Sequence, residues 1–214
     1  MNKIIKKSES FVFALGIALN MTLTPGIALD TSLMNVPEPI KEISPEIRHE
    51  NVPFYSQFED IYLKEWQKLG CGIAALAMAI EFHKPDSVSV MDLLFEAIES
   101  GAYQQNVGWK HRALAMLAGQ HGLTGKTYDL VKLDQQAALG QFLESLQNGP
   151  VIVSVRNKFD PAATLGHLVV ATGFENDVIF YHDPAGPKIE KIISIPDFLK
   201  GWKKRFIVFE KTAS

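Results

Sequence analysis

Cysteine is nearly absent from this chain of 214 residues: Cys71 stands alone, so no internal disulfide can form. An excess of one charge is also missing. The formal net charge is −3, and the one basic run, Lys203-Lys204-Arg205, is short enough to be a solvated face, which excludes a nucleic-acid footprint. There is no His-Glu-x-x-His pattern, no multiple-cysteine site and no ligand spacing among the six histidines, so neither a metal nor a cofactor is expected. A phosphate-cradling glycine loop is lacking, as is any internal repeat or low-complexity tract beyond residue 50. No apolar run reaches the roughly 20 residues that cross a bilayer core of about 30 Å, so a stable transmembrane segment is not expected.

What is present suits one domain. Hydrophobic residues make up 47% and charged residues 21%, enough to bury one sizeable core. Lys3, Lys6 and Lys7 precede the apolar stretch Phe11-Val-Phe-Ala-Leu-Gly-Ile-Ala-Leu19, and Gly26-Ile27-Ala28 supplies small residues, so residues 1–28 have the order of a secretory signal peptide cut after Ala28. The protein is therefore expected to be exported, periplasmic or extracellular. Residues 29–50 are rich in proline and charge and are expected to be a linker or arm, with the folded domain at 51–214. In an exported chain, cysteines ordinarily pair. A lone thiol there is open to oxidation, so its presence needs either burial or a chemical use.

Helical spacing marks residues 72–83, 88–99 and 109–121, and a fourth helix is expected over 134–147 with Asp134 as its N-cap. The period then changes. Residues 151–155, 167–174, 178–181, 189–195 and 206–209 are expected to be strands separated by Gly, Pro, Asn and Asp turns. The fold class is thus α+β, a helical N-terminal half on a mainly antiparallel sheet.

Cys71 lies in Leu69-Gly70-Cys71-Gly72, just before an alanine-rich helix. Unpaired N–H groups and the positive end of the helix dipole favour a thiolate at such a position, and the flanking glycines allow tight backbone geometry and close approach of a carbonyl. A thiol nucleophile needs a base. His49 lies in the arm, His83 and His121 end helices, and His111 is placed on a helix surface; His167 instead opens the apolar strand Leu168-Val-Val-Ala171 after a flexible-looking loop, at a strand's mouth.

The strand from His167 turns near Glu175-Asn176-Asp177 and returns through Val178-Ile-Phe-Tyr181 to His182-Asp183-Pro184, a hairpin pattern. With Glu175 and Asn176 as a two-residue loop, His167 faces position 184, so Asp183 is close enough to orient its ring. Asn176 would lie on the order of 30 Å away at about 3.3 Å per residue. His182 is expected on the face opposite Asp183. Trp66, Tyr103 and Trp109 are candidates for cleft walls or for ordinary packing.

Val52-Pro-Phe-Tyr-Ser-Gln57, Cys71-Gly-Ile-Ala-Ala-Leu-Ala77, Gly166-His-Leu-Val-Val170 with Gly173, and Asp183-Pro184 together resemble the papain-like cysteine peptidases, most closely the bacteriocin-processing (double-glycine leader) peptidase family in its stand-alone form. The resemblance implies a papain-like cysteine peptidase fold. It also implies an oxyanion glutamine at Gln57, a nucleophile at Cys71, a base at His167 and an orienting carboxylate at Asp183. The expected activity is hydrolysis of a peptide or protein substrate through a thioester on Cys71. An acyl transferase using the same residues, and a catalytically silent peptide-binding module, are the alternatives. Cleavage of leader peptides during export is not implied, because the exporter members carry a transmembrane region and a nucleotide-binding cassette that this chain lacks.

Overall fold

In the computed structural model, which describes residues 46–212, a two-residue strand β1 (Ile47–Arg48) precedes a short helix α1 (Lys64–Gln67) and the main helix α2 (Cys71–His83). The run Ile73-Ala-Ala-Leu-Ala-Met-Ala-Ile80 has no polar stripe, and correspondingly every residue from Gly72 to Glu81 is buried. Next come α3 (Val90–Glu99), the small strands β2 (Tyr103–Gln104) and β3 (Gly108–Trp109), α4 (His111–Gln120) and β4 (Leu123–Asp129). The sequence places the third helix from Trp109. In the structure Trp109 pairs with Tyr103 instead, and the helix begins two residues later.

The rest of the chain is α5 (Gln135–Leu146), β5 (Val151–Arg156), β6 (Gly166–Glu175), β7 (Val178–His182), β8 (Lys191–Ser194), α6 (Ile195–Gly201) and β9 (Trp202–Lys211). The strands pair in the order β4-β9-β5-β6-β7-β8, all antiparallel, with β1 on β6. Strand alternation divides the interior in two. Ile152, Leu168, Val170 and Ile207 face the core built on α2, α3 and α4, while Val151, Val153, Val155, Val169 and Phe206 face α5 and α6. Helices therefore cover both sheet faces, with α5 crossing to the side opposite α2.

The β6–β7 turn differs from the expected one by a residue. Glu175 pairs with Val178, leaving Asn176 and Asp177 as the loop, both in the left-handed region at φ 50° and 61°. Asn and Asp tolerate that conformation, and a two-residue turn with both φ positive matches strand twist. A register shift follows between Ala171 and Gly173, so Ala171 pairs with Tyr181 and Val170 with His182. The expected signal peptide over 1–28, and the expected arm up to residue 45, lie outside the described residues.

Candidate active site

Cys71 is the first residue of α2 and is partly exposed, with Gly70 as the N-cap. The first N–H groups of a helix lack intrahelical partners, so its positive end is directed at the thiol. The reason for the two flanking glycines is different from the one the sequence suggests. Gly70 has φ −75°, which any residue can adopt. A Cβ there would sit 2.3 Å from Ile61 Cδ1 and 3.3 Å from Gln57 Cβ, and a Cβ on Gly72 would sit 2.5 Å from the Trp109 ring. The glycines admit the protein's own side chains on either side of the nucleophile position.

Both neighbours are pinned. Trp109 Nε1 donates to the Leu69 carbonyl at 2.5 Å, and the ring packs with Trp66 and Tyr103, so these three aromatics form one cluster beside Gly72. The Gln57 backbone N–H donates to the Pro184 carbonyl at 2.9 Å, joining the 52–57 segment to the end of β7. Gln57 is 4% exposed; its Nε2 donates to the Gln67 carbonyl at 2.7 Å, which leaves a second N–H. Gln67 in turn donates to the Phe58 and Ile61 carbonyls at 2.9 and 2.8 Å. Gln67, unremarked in the sequence, thus fastens the Gln57 loop to α1. Nothing in a lone glutamine on a four-residue helix signals this.

His167 and Asp183 meet directly, with Nε2 to Oδ1 at 2.7 Å. Asp183 also accepts the Ala185 N–H at 3.0 Å on the same oxygen and the Lys191 ammonium at 2.9 Å on Oδ2. Lys191 is a second residue the sequence does not single out, since a lysine on a short strand reads as surface. Burial works against a charged imidazole, but Asp183 and the Cys71 side chain outweigh it and raise His167 to about 9. For Asp183, burial again opposes charge, and the bonds from His167 and Lys191 hold its carboxyl well below the usual range. The two side chains are 11% and 19% exposed, so the pair is largely shielded from water. An ionised carboxylate on one ring nitrogen and a thiol beside the ring can carry proton transfer to and from sulfur.

The remaining histidines lie elsewhere. His49 Nε2 bonds the Leu146 carbonyl at 2.8 Å, and His121 caps α4 and pairs with Glu96 at 2.8 Å. His83 ends α2, buried. His111 starts α4 rather than riding on its surface, and burial, then Arg205 and Lys203, lower its proton affinity. His182 is buried against Phe54, edge to face.

Among solved structures, a Bacillus anthracis protein described as a C39-like peptidase is 17% identical, with 80% of this chain and 100% of that one covered at a TM-score of 0.58. A double glycine motif protease from an AMS/PCAT transporter, solved in complex with the leader peptide, is 22% identical, with 79% and 100% covered at a TM-score of 0.51. These likenesses show the fold. No curated protein matches the chain. The Peptidase_C39 like family matches residues 49–212. With that match over most of its length and a papain-like α+β fold, the chain belongs to the Peptidase_C39 like family.

Proposed function

We propose that this protein is a cysteine peptidase or amidase that cleaves a peptide or other amide bond through an acyl-enzyme on Cys71. The observation that carries the reading is the 2.7 Å His167–Asp183 pair, with the Cys71 side chain acting on the same ring from the start of a buried helix. Cys71 as thiolate attacks the substrate carbonyl while His167 holds the proton. The second N–H of Gln57 and the Cys71 backbone N–H stabilise the oxyanion. His167 then protonates the leaving amine, giving a thioester. Water, deprotonated by His167, releases the acid and restores the thiol. Asp183 holds the ring in position and supports its charged form.

The substrate is a peptide or protein, a reading supported by the leader peptide bound to the double glycine motif protease of similar fold. Among the described residues no helix is long and apolar enough to cross a membrane. The lysine-then-apolar order of residues 1–28 supports export, which the N-terminal sequence of the mature protein will test by beginning at Leu29.

Two measurements test the chemistry. Cys71 should alkylate with iodoacetamide far faster than a free peptide thiol at pH 6; equal rates would count against an activated nucleophile. A peptide library should be cut by the wild type and left intact by Cys71→Ala. An added amine separates the rivals: amide products in place of acids would point to acyl transfer, and binding without turnover to a silent module.

A further inference from the structure

Asp183 spends both carboxylate oxygens on named partners. Oδ1 faces His167 Nε2 at 2.7 Å and the Ala185 N–H at 3.0 Å, while Oδ2 accepts from Lys191 Nζ at 2.9 Å. Lys191 opens β8, and its pairing with Tyr181 brings it alongside the end of β7, two residues before Asp183. Its ammonium passes through the space that residue 186, lacking a side chain, leaves open. A Cβ on Gly186 would stand 2.4 Å from Lys191 Nζ and 2.9 Å from its Cε, and Gly186 itself is held there by its N–H bond to the Asp183 carbonyl at 2.8 Å.

A carboxylate held through one oxygen can still turn about its last torsion, which for Asp is broad. A charge-assisted bond on the other oxygen fixes the carboxylate plane. We propose that Lys191 is a positioning residue: admitted by Gly186, its ammonium locks the Asp183 carboxylate so that Oδ1 stays on His167 Nε2. This rests on the Cys71–His167–Asp183 reading given above. The groups around Asp183 are His167 from β6, Lys191 from β8, Tyr181 from β7, and Cys71 of α2 beyond the ring. The Tyr181 phenol is shifted upward by burial and then by the Asp183 charge, so it stays neutral and supplies no competing anion.

Removing Lys191 has two opposed effects on the imidazolium. Losing a nearby cation favours it, and losing the fixed carboxylate disfavours it. Positioning means that the second dominates, so the thiolate–imidazolium pair forms less readily.

The test is the pH dependence of Cys71 alkylation by iodoacetamide in the full chain, with thermal melting alongside. In Lys191→Met the midpoint should rise by about one unit, which slows alkylation by about tenfold at pH values below both midpoints. Lys191→Arg should return within about twofold of wild type, since a guanidinium can make the same bond. Gly186→Ala, which keeps the charge but displaces it, should shift the midpoint in the same direction as Lys191→Met. An unchanged profile in Lys191→Met, even with a lower Tm, overturns the proposal by making the contact merely structural. A midpoint that falls in Lys191→Met overturns it by making loss of the charge the dominant effect, and a raised Lys191→Met beside an unshifted Gly186→Ala overturns the part assigned to Gly186. A wild type no more reactive than a free thiol defeats the underlying triad reading, and this one with it; a reactive wild type with unaffected variants defeats this one only.

Discussion

Replacing Gly72 by alanine would put a methyl group 2.5 Å from the Trp109 ring, a distance at which one of them must move. Trp109 is anchored through Leu69, so displacement strains the peptide immediately before Gly70 and Cys71. The expected cost is about 1–3 kcal/mol, as for other overpacked cores, together with slower Cys71 alkylation. A lowered Tm with a change in tryptophan emission would report it, and an unaltered protein would mean that the ring has room to retreat. The residues of the site were legible in unequal measure. Cys71, His167 and Asp183 could be singled out because a lone thiol at a helix start, a histidine at a strand's mouth and a hairpin partner are local patterns. Gln67 and Lys191 could not, because their meaning lies in hydrogen bonds whose partners are set by the tertiary fold.

The elements held in place around these residues show where sequence patterns suffice. Asp134 caps α5 as its position suggests, accepting the Ala137 N–H at 2.9 Å. Strand β4 is invisible to alternation, because in Leu123-Thr-Gly-Lys-Thr-Tyr-Asp129 only Leu123 is buried; it is an edge strand recognised through its pairing with β9. Helix α6 begins at the last residue of the strand expected over 189–195 and carries no expectation of its own, although Ser194 with Pro196 just inside is a helix-start signal. The link from α2 to α3 depends on a single buried side chain. Glu81 accepts the N–H groups of Asp86, Ser87 and Val88 at 2.7, 2.9 and 2.7 Å. Glu81→Ala leaves three donors in search of water and should cost on the order of 3 kcal/mol, measurable by urea denaturation, with hydrogen exchange fastest at residues 86–88. A change below about 0.5 kcal/mol would show that water replaces the carboxylate freely.

For the whole molecule, the His167–Asp183 pair links stability to pH at both ends. His167 is raised from its ordinary 6.5 to about 9, so its contribution is complete below about 6.5 and is lost as pH rises through 9. Asp183 is lowered, so its contribution is complete above its ordinary 3.8 and fades as pH falls. Tm should therefore be highest between roughly pH 5 and 7 and decline on both sides. His167→Gln should flatten the alkaline side; an alkaline decline equal to wild type's would place its cause elsewhere. Other buried groups act in the same range, since burial favours neutral His182.

The proposed site draws Gln57 from a loop, Cys71 from a helix start, His167 from β6 and Asp183 from the residue just after β7. Between Cys71 and His167 lie α3, β2, β3, α4, β4, α5 and β5, the last of which pairs with β6 along Gly166–Ala171. A ribosome adding about 5–20 residues per second exposes the thiol several seconds before the base exists. Until then the growing chain carries the proposed nucleophile without its proposed base. On the peptidase reading proposed above, cleavage can begin only once β6 and the turn after β7 have joined the sheet, which makes completion of the fold itself the moment of activation.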